Sequence, residues 1–311
     1  MNTPVKSALT LCVLAALCAL LAFPARYLAC VTEGAALWAA CVLPAALPFI
    51  FLTALLAGTP LFARLSRLTA PLFAPFGVSG AGGCAALLSL LSGYPAGAKT
   101  VQRLYARGAI GREEALRCAC LASTSVPAFL VGTAGAAMMG NVALGWLLLF
   151  AHVTGVLGGS LLFALPRKKR VPRLDMPPPN ALPAAQSVPE TLAESVLAVL
   201  TVGGAVALFY AFGCMLTDAL APLGLPPAWS AFLAGLLEMT AGCSRLLPSP
   251  TPASLAAAAF LVTFGGACIL MQQWCFLSKT GIPPAKFLGM KAVQACLAAL
   301  TAFALGTVFL Q

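Results

Sequence analysis

Apolar runs of about twenty residues recur along this chain, and that length matches the roughly 30 Å of hydrocarbon in a bilayer. Ala8–Leu28, Ala35–Ala57, Leu121–Met139, Leu144–Leu165, Leu192–Thr217, Leu255–Leu277 and Phe287–Leu310 all qualify. Without water to satisfy stray backbone groups, such segments cross as helices. Charged residues make up 8% of the 311, against about 25% in a soluble domain, too few to coat a water-exposed globule. The chain reads as an all-α polytopic membrane protein whose first partner is the lipid bilayer. Tyr27-Leu28-Ala29-Cys30 resembles a lipoprotein cleavage site, but the preceding run is long and another follows at once, so an uncleaved first helix is expected.

Two further apolar stretches, Ala81–Leu91 and Trp229–Leu237, are too short to cross and are expected as re-entrant hairpins. Charge fixes the sidedness. If both hairpins return to the face they left and Lys6 is cytoplasmic, then Arg64, Arg67, the groups Lys99 to Arg117 and Arg167 to Arg173, and Lys279, Lys286 and Lys291 are all inside. Only Arg26 and Arg245 fall outside, as the positive-inside rule requires. The expected topology is about seven transmembrane helices plus two re-entrant hairpins. The basic, proline-rich stretch 166–190 is expected as a cytoplasmic linker, contacting anionic headgroups, that divides the chain. The parts are then an N-terminal helix (1–33), a first gate-type repeat (34–165), the linker and a second repeat (191–311).

Several function classes are excluded. The 18 Lys+Arg against 8 Asp+Glu serve orientation, and no aromatic-studded basic groove accompanies them, so nucleic acid is not an expected partner. The 12 cysteines lie mostly in apolar runs, Cys118-x-Cys120 is their only close pair, and there is one histidine, so neither metal nor cofactor is expected. Gly77-Val78-Ser79-Gly80 matches the G-x-S-G of rhomboid-type intramembrane proteases, but that chemistry needs Ser79 bonded to His152. The chain is read as not an enzyme, and His152 as a hydrogen-bonded packing residue. Glu113-Glu114 is read as pairing with the basic stretch Arg103 to Arg117.

The order span, short hairpin, span, span occurs on both sides of the linker. Tyr94-Pro95-Ala96-Gly97 corresponds to Met239-Thr240-Ala241-Gly242. By charge, the two repeats are inverted. Paired interrupted segments in inverted halves point to a secondary transporter, with broken helices meeting at mid-membrane. A half-helix N-terminus carries free N–H groups and partial positive charge, which suits an anionic or carbonyl group.

The substrate-binding candidates follow from those interruptions. Ser92, Gly93, Tyr94, Pro95, Gly97 and Lys99 form the first break, where glycine permits close backbone approach and Lys99 adds charge. The spacing of a phosphate-binding P-loop is absent. Ser123, Thr124 and Ser125 precede Pro127, where their hydroxyls either repair the ladder or face substrate. Thr240, Gly265, Gly266 and Gln272 supply the matching breaks of the second half. Glu238, an ionisable group at membrane depth, is the candidate for coupling to H+ or Na+.

Ser92–Lys99, Arg107–Ala115, Pro127–Gly132, Leu237–Gly242 and Phe264–Gly266 with Gln272 together resemble the sporulation integral membrane protein family (YlbJ-like) of endospore formers. That family carries the gate ("nucleoside recognition") domain also found in concentrative nucleoside transporters. The resemblance runs from about Leu43 to Gly289 and implies a cell-membrane, multi-pass protein of spore maturation, in the outer forespore membrane. It implies movement of a small organic anion, dipicolinate, from mother cell toward forespore. A nucleoside or nucleobase carrier on the same scaffold, and a non-transporting structural protein of the spore envelope, are the alternatives; a homo-oligomer is compatible with any of them.

Overall fold

The computed structural model describes residues 3–57, 59–164 and 187–310, and every regular element among them is helical. Most of the expected linker lies outside the described residues. Its last positions, Ser187 to Glu190, form a capping box that starts a long helix.

Prolines set many of the boundaries. Helix α1 (Thr3–Ala22) stops at Phe23 and Pro24 opens α2 (Pro24–Leu37), so the run Ala8–Leu28 is two helices and not one. Helix α2 continues through a π-helical turn, Trp38–Val42, into α3 (Leu43–Ala57). Pro44 and Pro48 remove donors from the ladder there, and the wide turn immediately precedes them. Together these make a 33-residue membrane-length helix, Pro24–Leu56.

Helix α4 (Pro60–Phe73) is amphipathic. Phe62, Ser66, Thr69 and Phe73 recur every three or four residues on its buried face, while Leu61, Leu68 and Leu72 point outward. It meets α5 (Gly80–Ser92) at a bend of 95°. Helix α5 breaks at Gly93 and is followed by α6 (Tyr94–Ala106), α7 (Arg112–Leu121), an irregular stretch 122–127, a π-helical segment Ala128–Met138 and α8 (Val142–Ala164). The expected span Leu121–Met139 is therefore interrupted: Pro127 and the hydroxyl-rich run before it end α7 early.

The second half contains α9 (Val188–Leu220), α10 (Pro227–Leu237), α11 (Met239–Leu246), α12 (Pro252–Phe264), α13 (Gly266–Leu277) and α14 (Pro284–Phe309). Among the described helical stretches, five are long and apolar enough to cross a membrane, or six if α4 and α5 count as one bent span. The chain is an all-α polytopic membrane protein.

The two short hairpins, α5–α6 and α10–α11, are each entered through the same device. Ala74-Pro75-Phe76 and Ala221-Pro222-Leu223 are 3₁₀ turns, closed by Gly77 (φ +66°) and Gly224 (φ +60°) in the left-handed region. Two helix pairs, one helix from each half, lie side by side and antiparallel. A Cβ on Gly34 would meet Ala207 and Tyr210, and one on Gly203 would meet Trp38, so α2 runs against α9. Gly155 faces Ala298 and Gly159 faces Gln294, so α8 runs against α14. The main apolar core spans both halves, from Ala45 and Tyr94 through Phe129 and Leu148 to Leu261, Ile269 and Ala298.

Candidate functional site

Four helix interruptions lie in the protein interior: Gly93, the stretch 122–127, Glu238 and Gly265-Gly266. Each frees backbone groups that lipid cannot satisfy, and buried side chains meet them. Lys291 Nζ donates to the Ser123 carbonyl at 3.0 Å. Ser89 Oγ donates to the Ala122 carbonyl. Tyr94 crosses from α6 to give its hydroxyl proton to the Val262 carbonyl in the last turn of α12. Gln294 Nε2 reaches the Cys120 carbonyl at 3.3 Å and Ser160 Oγ at 2.9 Å.

His152 serves both halves. Its Nε2 accepts the Ser125 backbone N–H at 3.1 Å, which leaves the ring proton on Nδ1, facing Thr263 Oγ1 at 2.9 Å. This is the packing role expected of it. Ser79 instead caps α5, its Oγ accepting from Gly82 N and its own N–H donating to Glu114 Oε1 at 2.7 Å. The Ser79–His152 pair that a protease would need is not formed.

The two hairpin tips differ. At the first, Gly93 (φ +86°, ψ −178°) turns the chain, and no side chain caps α6. At the second, the buried Glu238 caps its own helix, accepting Thr240 N at 3.1 Å on Oε1 and Ala241 N at 2.7 Å on Oε2. The N–H groups expected to greet an anion there are already held by a protein carboxylate, and no ion pair to Glu238 is present among the described residues.

Between the tips lies a cavity of about 70 Å³. Of the sequence-predicted residues, Ser92, Gly93, Tyr94, Pro95, Ser125, Glu238, Thr240 and Gln272 line it, with apolar walls from α3, α9 and the π-helical segment. The others are placed elsewhere. Gly97 packs behind the tip, where a Cβ would stand 2.2 Å from both the Ala122 carbonyl oxygen and Ser89 Oγ. Ser123 accepts Gln273 Nε2 at 2.7 Å. Thr124 Oγ1 is buried with no hydrogen-bond partner among the described residues. Gly266 packs the break against the last carbonyls of α10, and Gly265 faces the Ile269 side chain.

Lys99 lines a second, larger space, a cleft of about 420 Å³ between α3, α6 and α9. The cleft and the central cavity share Ile50, Ser92, Pro95 and Val202, so they adjoin. In the cleft Lys99 Nζ lies 2.7 Å from Glu194 Oε2, and Arg103 reaches the same oxygen at 3.4 Å.

Sequence reasoning missed Lys291, Gln294 and Glu114. Lys291 had been counted with the cytoplasmic cations but is fully buried. The signal was available: Phe287, Lys291, Gln294, Ala298 and Ala302 fall on one helical face. Glu113-Glu114 was read as pairing along one basic helix. The chain turns at 107–111, however, and Glu114 reaches back to Ser79 while Arg117 Nε donates to the Gly77 carbonyl at 3.0 Å.

Residues 39–142 match the family model described as "Gate: Nucleoside recognition". Over 305 residues the chain is 32% identical to the sporulation integral membrane protein YlbJ of Bacillus subtilis (strain 168), covering 86% of this chain and 74% of that protein. No solved structure matches.

Proposed function

The chain belongs to the YlbJ family of sporulation integral membrane proteins, and from that premise we propose that it is a non-enzymatic carrier of a small organic anion, with dipicolinate as its cargo from mother cell toward forespore. The observation that supports this reading is the 420 Å³ cleft lined by Lys99 and Arg103, which adjoins the cavity between the two hairpin tips across Ile50, Ser92, Pro95 and Val202. A packed scaffold needs no such cleft beside an internal cavity. The cleft has the size of a small-molecule site, roughly 300–1,000 Å³, and its charged lining is two cations and one carboxylate. On this reading the anion enters past Lys99, and the protein opens here to the side that charge assigns to the cytoplasm.

Glu238 takes the coupling role in the proposal. It is an anionic group in the path of an anion, so a proton or sodium ion at its carboxylate would remove the repulsion when both occupy the centre. The protein acts in a multi-pass arrangement in the cell membrane, with the outer forespore membrane as the proposed location, and needs no other cofactor.

A nucleoside or nucleobase carrier is the second reading, favoured by one observation. The central cavity is lined by Ser125, Thr240, Gln272 and Glu238 and by no cationic side chain, a set suited to the hydroxyl and amide groups of an uncharged solute. Proteoliposome flux separates the readings. Dipicolinate uptake that exceeds uridine uptake, and that loses its ion dependence in Glu238→Gln, supports the first. Uridine uptake without dipicolinate uptake supports the second. Absence of both in folded, reconstituted protein leaves the structural role in the spore envelope.

A further inference from the structure

The cleft holds more than a passage. Lys99 and Arg103, one turn apart on α6, converge on a single oxygen of Glu194 from α9, at 2.7 and 3.4 Å. Two like charges are held together by one internal carboxylate. All three side chains are about a third or more exposed, so the arrangement is worth little in stability and is displaceable by a ligand.

The hydroxyls around them sharpen the chemistry. Thr53, Ser92, Thr100, Thr191, Ser195 and Thr201 each give their proton to a carbonyl of their own helix. They therefore present acceptor oxygens to the cleft. The donors available to a ligand are the ammonium of Lys99 and the guanidinium of Arg103, three and five N–H groups respectively. A solute bearing carboxylates finds there the only complementary side chains among those lining the cleft.

We propose that Lys99 and Arg103 form a loading station for small carboxylates at the cleft, separate from the central cavity, and that Glu194 is its built-in competitor, which an arriving carboxylate must replace. The station rests on the carrier reading for its purpose but not for its binding. It gives the anion a place of adequate volume in this conformation, whereas the space between the tips is about 70 Å³. It also gives Glu194 a role opposite to that of a structural partner: its charge weakens binding.

Equilibrium binding to the full chain in neutral phosphatidylcholine nanodiscs tests this, with isophthalate as the planar dicarboxylate probe and uridine as the uncharged control. Glu194→Gln should tighten isophthalate binding by about fivefold, the scale of an exposed ion pair. Lys99→Met and Arg103→Met should each weaken it by about tenfold, the scale of a lost charge-assisted hydrogen bond, and Arg103→Lys should restore part of the loss. Uridine binding should be unmoved throughout. Weaker or unchanged isophthalate binding in Glu194→Gln, in protein with the parent melting temperature, would overturn the proposal. So would equal losses for isophthalate and uridine in the lysine and arginine variants. Added phosphatidylglycerol that abolishes isophthalate binding would assign the station to a lipid headgroup and also overturn it. Binding as expected without flux sinks the carrier reading and leaves the station standing; flux without these charge effects does the reverse.

Discussion

The Nζ of Lys291 stands 3.0 Å from the carbonyl oxygen of Ser123, sealed from solvent just beyond the point where α7 ends. The irregular stretch that follows α7 leaves its carbonyls without ladder partners, so an N–H donor from α14 placed there satisfies one of them. Lys291→Met keeps the length of the side chain and removes the donor. The expected cost is about 1–3 kcal/mol, that of leaving a buried acceptor unmet, read as a lower melting temperature in detergent. An unchanged melting temperature would mean that the Ser123 carbonyl finds another partner.

His152 ties the two halves through the same region, since Ser125 N–H lies before the linker and Thr263 Oγ1 after it. Its geometry demands the neutral ring with the proton on Nδ1. Nitrogen NMR of labelled imidazole should show that tautomer. His152→Ala should cost about 2–4 kcal/mol, from two lost hydrogen bonds and the cavity left behind. A signal from the Nε2–H tautomer would refute the assignment.

Much of this fold was legible because lipid imposes simple rules. The runs at α8, α9 and α14 are unbroken and apolar, and length alone identifies them. The hairpin tips at Gly93 and Glu238 were legible because glycine, proline and an ionisable residue interrupt short greasy stretches. The break at 122–127 was harder. Its serines and threonine are small and their neighbours apolar, so a hydrophobicity window runs straight over it. The Ala-Pro-x-Gly turns before both hairpins are a repeat visible in the sequence itself. Lys99 reads in sequence as part of the break that begins at Ser92, but one and a half helical turns from the tip carry it into the cleft. Lys291 shows the remaining difficulty: sequence gives a cation near a helix start, whereas its burial depends on which face α14 turns toward α7 and α8.

The close approach at Gly97 makes a sharper test of the hairpin. A Cβ there would stand 2.2 Å from the Ala122 carbonyl oxygen and from Ser89 Oγ, distances no packed structure accepts. Gly97→Ala should therefore push the two limbs of the hairpin apart and abolish a cooperative melt. Gly204 is the control. It lies within α9 with no atom within 4 Å of an added Cβ, so Gly204→Ala should be neutral or stabilising by up to about 1 kcal/mol, the helix preference of alanine over glycine. Similar behaviour of the two variants would contradict the packing described.

At the far end of α9 from the cleft, a second set of polar contacts joins α2, α9 and α11. Arg26 forms a two-point ion pair with Asp218, Tyr210 donates to Glu33 at 3.2 Å, and the Arg245 guanidinium sits 5.8 Å from the centre of the Tyr210 ring. Glu194 and Asp218 are 24 positions apart on one helix, about 36 Å at 1.5 Å per residue, more than the roughly 30 Å of bilayer hydrocarbon. On the proposed carrier reading, contacts of this kind would hold the far end shut while the cleft is open, and loosening them should shift the population toward exposure on the far side. A cysteine at Ser92, in a background where the exposed Cys12, Cys18, Cys275 and Cys296 are replaced by serine, reports that exposure. Asp218→Asn should raise its labelling rate by an impermeant thiol reagent added on the extracytoplasmic side, and Arg26→Asp combined with Asp218→Arg should return the rate toward the parent value. Equal rates in parent and Asp218→Asn would show that this end is held closed by the apolar packing of Tyr27, Cys30, Ala211 and Cys214 instead.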